Sequence, residues 1–223
     1  MTFFTGLTKI INQIMMQNWT DFFGITFVIN LPTRDDRRMD VIMEMKRFSI
    51  PFTLFMAEEY GDGKRGVYES LCSIFKHCIR HKIKSALVFE DDVRFLVDPN
   101  EHMQKCIDDL PEDWDMLFLG VNIPHPENAK PYTENLLSIN RGLALHSVVY
   151  SLNAMQKILD MPEPFTPIDL QIANRLQSVL KCFCTYPMLC TQRPGFSDIE
   201  GTTVDYSVYL ENRFEKVKNF HKL

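Results

Sequence analysis

The chain has 223 residues, of which 45% are hydrophobic and 24% charged, and a formal net charge of −5. That length carries one sizeable domain with its own core, and the balance excludes a disordered tail, a collagen-like repeat and a small disulfide-stapled scaffold. The acidic balance also speaks against a duplex nucleic-acid binder, so no nucleic-acid partner is expected.

Residues 1–21 place Leu7, Ile10, Ile11, Ile14 and Met15 at helical spacing, which predicts an amphipathic N-terminal helix. Asn12, Gln13, Gln17 and Asn18 interrupt its apolar stretch, so it reads poorly as a secretory signal. No apolar run approaches the roughly 18 residues of a spanning helix. The six cysteines are therefore expected as reduced thiols in a cytoplasm.

Further along, a β-branched strand is expected at 25–29, broken by Leu31-Pro32-Thr33, then a helix at 35–47 and a strand at 52–56. A polar, glycine-bearing loop at 58–65 leads to a helix at 68–81 and a strand at 86–89 that runs into Glu90-Asp91-Asp92. A helix at 100–110 precedes a strand at 116–119 closed by Gly120. The proline-bearing stretch 122–140 reads as a mobile loop. A strand at 143–150, helices at 153–159 and 168–180, a strand at 183–189 and a loop at 191–206 follow. On the strand, the C-x-C pair Cys182 and Cys184 shares one face and reads as core rather than as a metal site. The segment 206–223 reads as a helix carrying Arg213, Lys216, Lys218 and Lys222. Repeated strand–helix alternation argues one α/β domain over 1–223.

The strongest chemical signal is Glu90-Asp91-Asp92, three adjacent like charges directly after a buried apolar strand. Strand ends of α/β sheets are where ligands bind, and a divalent cation relieves such repulsion. Alternation would put Glu90 and Asp92 on one face and Asp91 on the other. The same triplet also suits a solvated acidic turn. Arg34, Arg37 and Arg38 follow the first strand, and arginine forks match phosphate oxygens. They equally suit a solvated helix face paired with Asp35 and Asp36. His77 and His81, four apart on a helix, lack an acidic partner at metalloprotease spacing.

The order of these motifs resembles glycosyltransferase family 25, which includes bacterial lipooligosaccharide galactosyltransferases and animal procollagen galactosyltransferases. The match begins with Phe27-Val28-Ile29-Asn30-Leu31 and Asp36-Arg37-Arg38, and continues with Gly66, Ser70 and the run from Ala86 to Val93. Leu71 stands where the family carries a histidine. Asp113 to Gly120, Val148 to Ser151 with Ala154, Pro167-Ile168-Asp169, and Gln192 to Ile199 are similar to its later signatures.

The resemblance implies a GT-A-type nucleotide-binding fold, with a mixed central sheet flanked by helices. It implies a UDP-hexose donor, UDP-galactose or UDP-glucose, with Mn2+ or Mg2+ and an inverting displacement. Donor contacts would come from Asn30, Leu31, Arg34, Arg37, Arg38, Ser70, Glu90 and Asp91. Asp92, with Glu90 and Asp198, would hold the metal, and Asp169 or Asp198 would be the catalytic base. The acceptor would be a saccharide, lipid-linked or protein hydroxyl. The basic C-terminal segment adds an expected peripheral contact with the inner face of a membrane. A catalytically inactive relative, binding a glycan or a partner, is the competing expectation, motivated by Leu71.

Overall fold

Along β1 (Ile25–Asn30) the side chains alternate between two apolar layers, Phe27 into one and Val28 into the other. β3 (Ser85–Glu90) repeats the pattern, with Ala86 and Val88 facing one way and Leu87 and Phe89 the other. A sheet apolar on both faces must be covered twice. This computed structural model describes residues 18–163, 166–198 and 200–223, and in it helices do cover both faces. On the first face lie α2 (Gly63–Arg80), α4 (Leu152–Leu159), α5 (Ile168–Arg175) and α6 (Ser207–His221). On the second lie α1 (Asp35–Arg47) and α3 (Pro99–Asp109). The stripes Leu71-Ile74-Phe75-Cys78 on α2 and Val41-Met45 on α1 are the buried ones. Each such large side chain contributes roughly 1.5–3 kcal/mol on burial.

The remaining strands are β2 (Thr53–Met56), β4 (Val93–Phe95), β5 (Met116–Phe118), β6 (Ala129–Pro131), β7 (Leu136–Ile139), β8 (Ser147–Ser151), β9 (Cys182–Thr185), β10 (Cys190–Gln192), β11 (Gly195–Ser197) and β12 (Thr202–Val204). The central sheet has eight strands in the order β2-β1-β3-β8-β5-β9-β7-β6. β1 runs parallel to both β2 and β3, whereas β8 is antiparallel to β3 and β5. The mixed sheet flanked by helices is the architecture expected. Its register places Ile29 beside Glu90, so β1 and β3 end together and set Asn30 next to the acidic triplet.

Several expectations fail locally. The stretch 122–140 is not a mobile loop: it holds a 3-10 turn (Pro126–Asn128), the edge strand β6 and its neighbour β7. Buried Leu136, Leu137 and Ile139 fix it to β9, Pro126 opens the 3-10 turn, and Pro131 falls where the edge strand β6 tolerates it. The loop expected at 191–206 contains β10 and the hairpin β11–β12, too short for a periodic signal. α2 begins at Gly63 rather than 68 because Asp62 caps it, its side chain accepting from Lys64 N at 3.0 Å. The strand expected at 143–150 starts only at Ser147, and the helix expected at 168–180 stops at Arg175. The strand expected at 183–189 is β9, ending at Thr185, and β4 was not foreseen. The N-terminal helix expected over 1–21 lies largely outside the described residues, and its end, Trp19–Phe23, is a 3-10 turn.

α6 lays Leu210, Phe214 and Val217 on the core. Arg213 bonds the Pro124 carbonyl, and His221 meets the Ala129 carbonyl at 2.8 Å. All six cysteines are free and buried, Cys182 and Cys184 in the same apolar layer.

Candidate active site

A cavity of about 480 Å³ opens at the carboxyl ends of β1 and β3. Glu90 closes β3, and Asp91 and Asp92 form the turn into β4. The turn overrides strand alternation, so all three carboxylates line the cavity rather than opposite faces. Asn30, the last residue of β1, donates from Nδ2 to Asp91 Oδ2 at 2.8 Å and to the Arg34 carbonyl at 3.1 Å. Below the triplet, β10 adds Gln192, whose Nε2 lies 3.5 Å from Asp92 Oδ2, and the Arg193 N–H donates to the Asp92 carbonyl at 2.6 Å.

The three arginines have separate fates. Arg37 faces the cavity: its Nη1 lies 3.0 Å from Asp91 Oδ1 and 3.1 Å from Asp92 Oδ2, and its Nη2 donates to the Phe196 carbonyl at 2.8 Å. Arg34 is tied to Asp36 at 2.9 Å and to Asp198 at 2.5 Å, and Arg38 pairs with Asp35. Neither Arg34 nor Arg38 lines the cavity. Their ion pairs join Arg34 to the β11–β12 hairpin and Arg38 to the start of α1. The Arg34 hydrogen bond holds Asp36 down to about 2. Ser70 and Leu31 line the cavity, and the Ser70 hydroxyl donates to the Gly66 carbonyl at 2.7 Å.

Charge in this pocket is strained. Burial pushes Asp92 up to about 6, against the pull of Arg37, and Asp92 Oδ1 is buried with no hydrogen-bond partner among the described residues. Burial, then Asp92, Asp91 and Asp169, drive Glu90 well above the usual carboxylate range. Burial works against the Arg37 charge, but the Asp92 and Asp91 carboxylates outweigh it and raise its affinity for the proton.

Asp169, in the first turn of α5, reaches the cavity and accepts from Leu170 N at 2.7 Å and Ala144 N at 3.3 Å. Asp198 stands at the rim, held by Arg34. The structure therefore brings together Asn30, Leu31, Arg37, Ser70, Glu90, Asp91, Asp92, Asp169 and Asp198, and sets Arg34 and Arg38 behind them. Among the described residues, no three His, Cys, Asp or Glu side chains converge as a complete metal-ligand set. The cavity's other wall, Leu143, Ala144, Leu145, Tyr206 and Tyr209, had no signature in the sequence. Gln192 and Arg193 were legible only as polar residues after a strand. Buried Glu44 on α1, which accepts from Phe95 N and from Arg193 Nη2, each at 2.7 Å, sits at helical spacing with Val41 and was readable as a buried charge.

No family model matches the chain. It is similar to human procollagen galactosyltransferase 2, 28% identical over 170 residues that cover 64% of this chain and 27% of that relative. It is also similar to Xenopus laevis procollagen galactosyltransferase 1-A, 26% identical over 184 residues covering 66% and 30%. The chain thus spans less than a third of the length of the curated relatives it matches. These relatives lie within the family whose motif order the sequence resembles. The crystal structure of A197 from STIV shares the fold, with a TM-score of 0.50 at 10% identity, covering 81% of this chain and 93% of that one.

Proposed function

We propose that the chain is a glycosyltransferase that moves a hexose, galactose or glucose, from a UDP-sugar to a hydroxyl of a saccharide, lipid-linked or protein acceptor with inversion. The observation that carries this reading is the unpartnered, buried Asp92 Oδ1 among three carboxylates at the strand-end cavity. The likeness to procollagen galactosyltransferases supports the same reaction class.

The donor set suits a hard divalent cation, Mn2+ or Mg2+, held by few protein oxygens and completed by substrate phosphates and water. Asp92 would hold it, with Glu90 or Asp91. Such an ion, when bound, supplies positive charge to a departing nucleoside diphosphate. The protein's own part is distinct. Asn30 orients Asp91, Arg37 supplies positive charge beside the diphosphate, and the two N–H groups at Asp169 aim its carboxylate into the cavity. Asp169 takes the acceptor's proton as general base. Asp198, neutralised by Arg34, is the weaker candidate.

The test is UDP release from UDP-galactose and UDP-glucose, with Mn2+ and with chelator. Metal-dependent release supports the reading. UDP binding or release from neither donor under either condition overturns it and leaves the inactive binding module.

A further inference from the structure

We infer that the Arg37 guanidinium and a divalent cation are alternative occupants of the Asp91–Asp92 carboxylate pair, so that arrival of the ion frees Arg37 to pair with the diphosphate. The inference rests on the metal-assisted reading of the site above and goes beyond it by assigning Arg37 an exchange.

A single guanidinium nitrogen, Nη1, bridges Asp91 Oδ1 and Asp92 Oδ2 at 3.0 and 3.1 Å, the place a cation shared by both carboxylates would take. On Asp91, Oδ2 accepts from Asn30 and Oδ1 is the oxygen Arg37 shares with Asp92 Oδ2, so an ion bridging the pair at that place takes the position of Nη1. Asp92 offers Oδ1, which is free. Engaging both carboxylates therefore means displacing Arg37. Two cations at one buried carboxylate pair also repel strongly, since the surroundings screen poorly. Arg37 can move. Beyond the carboxylates its guanidinium makes one further hydrogen bond among the described residues, to the Phe196 carbonyl at 2.8 Å, and Arg37 lines the cavity where phosphates would lie. Neither Arg34 nor Arg38 can take its place, since both are paired with aspartates outside the cavity.

The experiment measures Mn2+ binding directly, by the electron paramagnetic resonance signal of free Mn2+ at pH 8 without nucleotide, and UDP binding by calorimetry in saturating Mn2+. Arg37→Met is expected to bind Mn2+ on the order of tenfold tighter than the native chain, and UDP on the order of tenfold more weakly. Arg34→Met loosens the same hairpin at Phe196 and Asp198 without touching the triplet, and is expected to leave Mn2+ affinity unchanged. Should Arg37→Met unfold by circular dichroism, Arg37→Lys, which keeps the charge but loses the fork, is expected to fall between the two. Equal or weaker Mn2+ binding by the Arg37 variant overturns the exchange, as does an equal gain in Arg34→Met. If no form binds Mn2+, native chain included, the metal reading of the site fails with it.

Discussion

Asn30 Nδ2 donates to Asp91 Oδ2 across 2.8 Å and so ties the ends of two parallel strands, β1 and β3, at the floor of the cavity. The bond joins a neutral donor to a buried carboxylate, and charge-assisted bonds are the stronger kind. Asn30→Leu leaves Asp91 with one partner fewer in a crowded acidic site. The expected loss is about 1–3 kcal/mol of stability, read from urea denaturation at pH 7, with weaker UDP binding. An unchanged urea midpoint would show that the two strand ends hold their places without it.

Asp92 carries a pH dependence whose sign follows from its environment. Burial raises its pKa from 3.8 to about 6, so between those values the folded chain holds a proton that the unfolded chain has released. The group's contribution to stability therefore falls as pH rises through that window, and stays unfavourable above it. The ceiling is about 3 kcal/mol, from the roughly two-unit shift. Asp92→Asn removes the charge. Urea midpoints at pH 4.5, 6 and 8 should show the variant gaining on the native chain with rising pH while it loses metal-dependent UDP binding. Parallel pH profiles for the two chains would refute the assignment.

The parts of the fold with strong local signals were legible: the apolar β1 and β3, the stripes of α1 and α2, and the triplet placed at a strand end. The parts that failed depend on partners distant in sequence. β6 and β7 read as a loop because β6 is three residues ending in Pro131, tolerated only at a sheet edge, and β7 is a four-residue strand fixed by its pairing with β9. Arg34, Arg37 and Arg38 looked alike along the chain; helical phase and the hairpin at Phe196 separated them, sending Arg37 inward and Arg34 to Asp198. Asp91 and Asp92 share a wall because the chain turns where strand periodicity ends.

Glu44 joins α1 to the strand pair beneath the triplet. One oxygen accepts from Phe95 N and the other from Arg193, whose own N–H holds the Asp92 carbonyl. Glu44→Gln keeps an acceptor for Phe95 but leaves the Arg193 cation uncompensated. Arg193 is 29% exposed, so water takes up part of the loss, and the expected cost is about 1–3 kcal/mol in urea denaturation. The weakened anchor should also lower UDP affinity. A stability change without an affinity change would limit Glu44 to packing.

Gly120 closes β5 where the chain passes directly against the Cys190 carbonyl and the ring of buried His146. A methyl group there meets backbone on one side and a ring held on all sides on the other. Gly120→Ala is expected to destabilise by about 3 kcal/mol, since neither neighbour is the free end of a flexible chain. Thermal melting is the measurement, and a melting temperature equal to that of the native chain would mean β5 and β10 can part without loss.

The base assignment separates Asp169 from Asp198 by their partners. Among the described residues Asp169 accepts from the backbone N–H groups of Leu170 and Ala144, which orient it without pairing it to a cation. Asp198 is bound by Arg34 at 2.5 Å, so its Oδ2 is already engaged and turned toward the hairpin rather than toward an acceptor hydroxyl. Asp169→Asn should therefore lower kcat by about 10²–10⁴-fold and leave UDP-sugar affinity nearly unchanged, because it acts on the acceptor's proton. Asp198→Asn should instead raise KM and expose the β11–β12 hairpin to proteolysis, since it releases Arg34 from the hairpin's tip. Steady-state kinetics on both variants with one donor, alongside limited chymotrypsin digestion at Phe196 of the hairpin, decide between them. The reverse pattern, kcat lost in Asp198→Asn and kept in Asp169→Asn, moves the proton transfer to the rim of the cavity.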